Sequence, residues 1–353
     1  MPIRPRPNGR RAERRSRYWC LLGRKVVRIE NDELIVAMTV EGGHIAEIVE
    51  KKSGVNPLWT PPWPSIEPST YNAEQHPEYG HDSESKLLAG ILGHNLCLDI
   101  FGPPSDGEYA AGLTVHGESS VAPYRIEASA TRMIARAHLP LAQLDFEREI
   151  ELAGNDVKIR EKVTNLTGMD RPLAWTQHVT LGPPFLEPGI TKLDINAPQS
   201  MVFPADFGAA QPYKPGALFE WPFAPNKDGS TTDLRIQSTA ERSAGVTCHA
   251  VDPASEYGSF EAFHPPTRLF FGYSWKRADF PWISLWEENR SRMFPPWNGN
   301  AVTRGVEFGV SPFAEGRRAM VERGLLLGVP TYRWLGARES ATVHYTAFAR
   351  IAI

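Results

Sequence analysis

Two histidines and one glutamate have the side chains best suited to proton transfer near neutral pH. His116 and His178 each stand where a β-type segment meets a loop, and each is followed by glycine within a few residues. An imidazole with an ordinary pKa of about 6.5 can both accept and donate a proton near neutrality. Glu307 lies in a short apolar segment, where strand alternation directs it away from the face that carries Val306 and Phe308. Taken singly, each residue also suits a structural role, as a buried histidine or a surface acid.

Tryptophans in loops rich in proline and glycine form a second chemical signal. Flat aromatic faces suit the C–H faces of sugar rings, while nearby acids and amides can bind the hydroxyl groups. The alternative is that these rings simply pack beneath long loops. The tryptophans in question are Trp59, Trp63, Trp175, Trp221, Trp275, Trp282, Trp286 and Trp297.

The segments that must position these residues follow a β pattern. Apolar residues recur at every second position in the hairpin formed by 144–152 and 157–164, and similar alternation occurs at 25–31, 33–40 and 341–353. Long helical periodicity is absent, and the 29 glycines and 31 prolines concentrate in loops. The sequence therefore predicts an all-β fold, a large antiparallel β-sandwich, with residues 23–353 as a single domain.

Charge is unevenly distributed along the chain. The first 20 residues contain seven arginines and one acid, so the remaining body has 31 of the 38 basic and 40 of the 41 acidic side chains. We expect residues 1–22 to be an arginine-rich, disordered extension. An acidic body does not attract phosphate backbones, so no nucleic acid partner is expected.

Membrane and metal sites are not indicated either. No apolar run approaches the length of about 18 residues that a membrane helix needs, so no membrane partner is expected. Three cysteines, Cys20, Cys97 and Cys248, form neither a disulfide framework nor a zinc motif, which favours a reducing, cytoplasmic location. Cys248, His249, Glu256 and His264 include metal-ligand types, but their spacing matches no metal motif.

In chain order, several passages together resemble the aldose 1-epimerases, or galactose mutarotases. They are Glu41-Gly-Gly-His-Ile-Ala-Glu-Ile48, Asn56-Pro-Leu-Trp59, Thr114-Val-His-Gly117, Val163-Thr-Asn-Leu-Thr167 followed by Gln177-His178, Ile283-Ser-Leu-Trp286, and Gly305-Val-Glu307 with Pro312. The resemblance is spread over about residues 25–350. It implies a galactose mutarotase-like β-supersandwich with a cleft for a small carbohydrate on one sheet, and no cofactor or metal.

The resemblance also implies roles for individual residues. Glu307 would be the base that takes the proton of the anomeric hydroxyl, and His178 the acid that protonates the ring oxygen, on opposite edges of one sugar ring. His116 would hold the region of the ring oxygen. Further residues expected to contact the sugar are His94, Asn95, Glu118, Trp175, Trp286, Trp297 and Arg304.

Two departures from the family pattern leave other functions open. The family's substrate-binding arginine is missing from the corresponding segment, 90–99, and its aspartate has no certain counterpart among Asp228, Asp233 and Asp279. A non-catalytic carbohydrate-binding or regulatory protein on the same fold is one alternative. A related polysaccharide lyase or hydrolase is another, suggested by Glu118, Glu287 and Glu288. The oligomeric state is not indicated.

Overall fold

A computed structural model describes residues 18–206, 208 and 210–352 of the chain. Residues 1–17 of the predicted arginine-rich extension lie outside this part. Trp19–Leu21, which also belong to that extension, pair with the strand that begins at Arg24. The sheet therefore starts at Trp19 rather than at residue 23.

The described residues form strands along almost the whole chain. In order they are β1 (Trp19–Leu21), β2 (Arg24–Glu30), β3 (Leu34–Thr39), β4 (Ile45–Glu50), β5 (His94–Asp99), β6 (Arg125–Ala128), β7 (Arg132–Leu139), β8 (Leu144–Ala153), β9 (Asp156–Asn165), β10 (Arg171–Leu181), β11 (Lys192–Ile195), β12 (Gln199–Val202), β13 (Leu218–Glu220), β14 (Phe223–Pro225), β15 (Thr231–Asp233), β16 (Ser243–Ala250), β17 (Tyr257–His264), β18 (Leu269–Lys276), β19 (Trp282–Asn289), β20 (Val302–Gly309), β21 (Leu325–Leu326), β22 (Val329–Pro330), β23 (Arg333–Leu335) and β24 (Ser340–Ile351).

Helices in the described residues are short and lie in the connections. The α-helices are α1 (Ser85–Leu88), α2 (Asp106–Ala110) and α3 (Arg317–Arg323); single 3₁₀ turns occur at Pro68–Thr70, Pro77–Tyr79, Glu118–Ser120 and Pro265–Thr267. α2 begins with a capping box, in which Ser105 and Glu108 satisfy each other's backbone N–H groups.

Two antiparallel sheets account for most of these strands. In the described residues the first sheet has 12 strands in the order β1-β2-β3-β4-β5-β10-β20-β19-β16-β12-β13, with β23 paired to one end of β10. The second has eight strands in the order β11-β17-β18-β24-β9-β8-β7-β6. A continuous apolar cluster contributed by both sheets fills the space between them. The predicted all-β antiparallel sandwich is confirmed.

The strands of the two sheets differ in burial. β8 and β9 alternate between buried and more exposed residues, as expected for a sheet with one face in water. β5 is buried at every position, and β10 and β20 are buried along most of their length. These central strands of the first sheet have the second sheet on one face and loops on the other.

A buried ion pair of the second sheet is hydrogen-bonded to the first sheet. Arg148 on β8 donates from Nε to Oε1 of Glu161 on β9 at 2.7 Å, and both side chains are at most 1% exposed. Oε2 of Glu161 accepts hydrogen bonds from Nε1 of Trp175 and Nε2 of Gln177, both on β10 of the first sheet. Tyr345 on β24 adds a fourth donor to Glu161. Every oxygen of this carboxylate is therefore hydrogen-bonded, as a buried charge requires.

Replacing Glu161 by glutamine should destabilise the fold strongly, because it leaves the Arg148 charge buried without its partner. We expect the free energy of unfolding in urea to fall by about 3–5 kcal/mol. Glu322→Gln is the matched control, since Glu322 forms an exposed pair with Arg318 on α3. The control should change stability by less than about 1 kcal/mol. Equal effects of the two substitutions would contradict the role given to the buried pair.

Candidate functional site

His178 and Glu307 face each other across neighbouring strands. They are directly paired residues of β10 and β20, so strand alternation places both side chains on the face of the first sheet that points away from the second sheet. Nε2 of His178 lies 3.1 Å from Oε1 of Glu307. Directly opposed positions in an antiparallel pair are about 5 Å apart at Cβ, so their functional groups meet without any distortion of the strands.

His116 reaches the same place from a loop. Its backbone has a φ of 69°, a left-handed conformation that is uncommon for a residue other than glycine. Its Nδ1 is 2.6 Å from the carbonyl oxygen of Phe101. The centres of the His116 and His178 rings are 4.8 Å apart. The structure therefore brings together the three residues that the sequence singled out for proton transfer.

Burial alters the acid–base properties of all three groups. Glu307, His178 and His116 are only 3%, 5% and 7% exposed. Loss of hydration raises the pKa of Glu307 to about 8, since no positive charge compensates it. The same effect lowers the pKa of His116 to about 4 and holds the pKa of His178 well below its ordinary value. At neutral pH the favoured state is a protonated Glu307 and neutral imidazoles.

Trp286 and Trp297 lie beside this group. The Trp286 ring centre is 6.0 Å from that of His178 and 5.9 Å from that of Trp297. Trp286 is half-buried, whereas Trp297 is 1% exposed and stacks on Trp59. Trp286 can thus offer part of a ring face to a ligand, while Trp297 supports it from beneath.

Arg292 is a functional candidate that the sequence reasoning missed. Its guanidinium carbon lies 4.5 Å from the centre of the Trp297 ring and 5.4 Å from that of Trp286. Its positive charge contributes to the lowered pKa of His116. The residue lies in an irregular loop outside any periodic pattern, so only its position after Trp286 in the sequence could have drawn attention to it.

Asn95 on β5 lies on the other side of His178 from Glu307, so the three residues form a row across β5, β10 and β20. It is the directly paired neighbour of His178 and is fully buried on the same outward face. Among the described residues neither its side-chain oxygen nor its side-chain nitrogen has a hydrogen-bond partner. Buried amides are almost always hydrogen-bonded, so this unsatisfied group suits a ligand hydroxyl.

The other expected sugar contacts point elsewhere. Trp175 and His94 face the core, where they bind Glu161 and the pair Tyr273 and Gln177. Arg304 is directed to the Leu234 carbonyl group and towards Glu287. Strand alternation explains all three corrections: positions 94, 175 and 304 differ from 95, 178 and 307 by odd numbers, so they occupy opposite faces.

Glu118 makes its contact away from His116, His178 and Glu307, because its Oε2 accepts a hydrogen bond from the backbone of Ala142 at 2.9 Å.

The expectation of an acid and a base on opposite edges of a sugar ring needs correction too. His178 and Glu307 touch each other, so both groups must approach the same edge of any ligand.

The fold does not bring together the other candidate groups, which are the metal-ligand residues around His249 and the carboxylates Glu287 and Glu288. His249 is bound to Ser200 and Thr247, whereas Cys248 faces the other side of the same strand. Among the described residues, no three or more of the His, Cys, Asp and Glu side chains are placed to hold a metal ion. Glu287 faces the core and accepts from Tyr213, so the adjacent Glu288 cannot share a cleft with it.

No helix among the described residues is both long and apolar enough to cross a membrane. The cytoplasmic location and the absence of a nucleic acid partner stay predictions.

Comparison with known proteins gives relatives in structure only. No protein-family model matches the sequence, and a comparison with curated proteins finds no match either. A candidate aldose 1-epimerase from Klebsiella pneumoniae subsp. pneumoniae superimposes with a TM-score of 0.65 at 15% identity, covering 92% of this chain and 79% of that one. A galactose mutarotase-like protein from Clostridium acetobutylicum gives 0.60 at 13% identity, covering 95% and 98%.

A second galactose mutarotase-like protein, from Lactobacillus casei, superimposes with a TM-score of 0.58 at 13% identity, over 92% of this chain and 100% of that one. The chain therefore has the galactose mutarotase-like β-sandwich fold. The fold that the sequence resemblance implies is confirmed. Likeness of fold does not by itself transfer an activity, which must be argued from the site.

Replacing Glu307 by glutamine tests the protonation state of the site. Because burial raises the pKa of Glu307 to about 8 from an ordinary 4.5, the folded protein retains a proton that the unfolded chain releases. The free energy of unfolding of the wild type should therefore fall, relative to Glu307→Gln, as the pH rises from about 5 to about 8. Urea unfolding at stepped pH measures this difference. A difference that stays constant over the range would refute the assignment.

Proposed function

We propose that this chain interconverts the anomers of a small sugar by opening and reclosing its ring. The observation that carries the proposal is the contact between Nε2 of His178 and Oε1 of Glu307 on the outward face of the first sheet, at 3.1 Å. The anomeric hydroxyl oxygen and the ring oxygen of a pyranose are bonded to the same carbon atom. A single edge of the sugar therefore presents both atoms to two adjacent proton-transfer groups.

The reaction needs one proton moved in each direction. Ionised Glu307 takes the proton of the anomeric hydroxyl while protonated His178 donates to the ring oxygen. The bond between the anomeric carbon and the ring oxygen breaks, and its electrons remain on that oxygen, while the anomeric carbonyl forms. Rotation about the bond from C1 to C2 presents the other carbonyl face. Reclosure reverses both transfers and returns each group to its starting state.

The resting pair and the reactive pair hold the same number of protons and differ only in which group carries one of them. In the favoured state Glu307 carries the proton and His178 is neutral. Transfer of that proton from Oε1 to Nε2, across the 3.1 Å contact, gives the ionised base and the protonated acid that ring opening requires. Burial favours the uncharged pair, because it raises the pKa of Glu307 and lowers that of His178, so this transfer is uphill in the free protein.

His116 serves as a hydrogen-bond acceptor for the sugar. A carbonyl oxygen can only accept, so the contact with Phe101 requires that Nδ1 of His116 carries a hydrogen. A lowered pKa keeps the ring neutral, which leaves Nε2 unprotonated. We propose that Nε2 accepts from a hydroxyl group of the sugar, while Asn95 binds a second hydroxyl group and Trp286 contacts the ring.

A non-catalytic sugar-binding protein is the second candidate. It is favoured by the burial of the three proton-transfer groups, none of which is more than 7% exposed. It is also consistent with the missing arginine in residues 90–99. Catalysis requires that the sugar displace part of this cover, and binding alone would not require contact with Glu307.

NMR exchange spectroscopy of anomer interconversion separates the two candidates. Free hexoses, pentoses, uronic acids and 6-phosphosugars are measured with and without the protein. We expect the wild type to accelerate exchange for at least one class, and Glu307→Gln to lose at least about 10²-fold in rate, the usual contribution of a general acid or base. Glu151→Gln, on the exposed face of the second sheet, is the matched control and should retain the wild-type rate.

Titration calorimetry with the same sugars completes the test. Binding without any acceleration of exchange would overturn the isomerase proposal in favour of the binding protein. Acceleration that survives in Glu307→Gln would remove Glu307 from the mechanism.

A further inference from the structure

The pair His178 and Glu307 has a second directly opposed pair beside it on the same two strands. Thr180 on β10 faces Gly305 on β20, two residues along each strand. A step of two residues returns to the same face of a sheet, so all four residues belong to one outward-facing block. Thr180 lies next to His178 and Gly305 next to Glu307.

Thr180 makes the hydrogen bond that orients the imidazole. Its Oγ1 lies 2.9 Å from Nδ1 of His178, the nitrogen on the side away from Glu307. The backbone of Thr180 is fixed at both ends, because its carbonyl accepts from Trp59 at 2.8 Å and its N–H donates to Gly93 at 3.2 Å. A hydroxyl oxygen that accepts from Nδ1–H keeps that hydrogen in place and leaves Nε2 to exchange the other one with Glu307.

Gly305 provides the space that the Glu307 carboxyl group occupies. A Cβ atom added to Gly305 would overlap Oε1 of Glu307, the same oxygen that contacts His178. The backbone of Gly305 is not in the left-handed region, so glycine is not required there by conformation. The overlap is with the end of a flexible side chain, so alanine would move the carboxyl group rather than the strand.

We propose that Thr180 and Gly305 are positioning residues for proton transfer: Thr180 holds the imidazole of His178 in the Nδ1–H form, and Gly305 admits the Glu307 carboxyl group beside Nε2. This inference rests on the proposed function. It assigns two residues that act through their neighbours and need not touch the sugar.

The first test concerns Thr180. Thr180→Val keeps the shape and removes the hydroxyl group, whereas Thr180→Ser restores it. We expect Thr180→Val to lower kcat for anomer exchange about 10- to 100-fold, by analogy with the loss of the orienting hydrogen bond to a metal-bound histidine, and Thr180→Ser to recover most of it. Because Nδ1–H loses its acceptor, the pKa of His178 falls further, so the acidic limb of the pH–rate profile should move to lower pH.

A spectroscopic measurement tests Thr180 without any assay. Nitrogen-15 NMR of labelled protein distinguishes the Nδ1–H from the Nε2–H form of a neutral histidine. The wild type should show Nδ1–H at His178, and Thr180→Val should shift the population towards Nε2–H. Thr303→Val is the control, since the Thr303 hydroxyl is also buried but donates to the Leu181 carbonyl group. The control should leave the His178 signals and the pH profile unchanged.

The second test concerns Gly305. Gly305→Ala should lower kcat at least about 10-fold while the midpoint of urea unfolding stays near that of the wild type, since only the carboxyl group has to move. Gly168→Ala, where an added Cβ atom would meet no neighbouring atom, is the matched control.

The outcomes separate this inference from the proposed function. The proposed function stands if the wild type accelerates exchange and Glu307→Gln does not. If Thr180→Val and Gly305→Ala then keep the wild-type kcat and His178 signals, the positioning roles are overturned. If the wild type accelerates no exchange, the function fails. In that case the NMR result for Thr180→Val still decides the role of Thr180, and an unchanged infrared carboxyl band of Glu307 in Gly305→Ala would overturn the role of Gly305.

Discussion

The buried carboxylate of Glu161 is the interaction on which the arrangement of the two sheets depends. It stands on the second sheet, yet two of its hydrogen bonds come from Trp175 and Gln177 on the central strand of the first. A buried charge is tolerated only when every lone pair is satisfied, so these donors cannot slip by one residue without a large loss of stability. Fixing Gln177 towards the core necessarily directs His178 outward. The inter-sheet contact thus sets which face carries the chemistry.

Burial of the outward face determines the protonation states of His178 and Glu307. An antiparallel sheet commonly leaves one face in water, as β8 and β9 do here. The strands that carry Asn95, His178 and Glu307 are instead covered by loops on their outer side. A carboxyl group that keeps its proton near neutrality beside an imidazole that lacks one is a direct consequence of this cover. The same two side chains on a solvated face would form an ordinary surface ion pair.

The likeness to galactose mutarotase-like structures concerns the fold, whereas the geometry of the site is a property of this chain. Identities of 13–15% with the structures compared above leave the fold as the shared property. The contact between His178 and Glu307, the neutral His116 and the unsatisfied Asn95 come from this chain alone. Arg292, over the faces of two tryptophans, lies in a different segment from the family's arginine.

The sequence by itself determined the all-β class and the antiparallel sandwich, and it singled out His116, His178 and Glu307 as candidates for proton transfer. Strand alternation and the chemical types of His116, His178 and Glu307 are local properties, and local properties are readable along the chain. The sequence could also have shown that His94 and Trp175 face away from Asn95 and His178, because an odd number of residues separates them in each case. That deduction requires knowing first that His94 and Asn95 share one strand and that Trp175 and His178 share another. Tertiary structure alone decided the rest. The contact between His178 and Glu307 depends on cross-strand register, and their altered pKa values depend on loops distant in sequence, which no local pattern encodes.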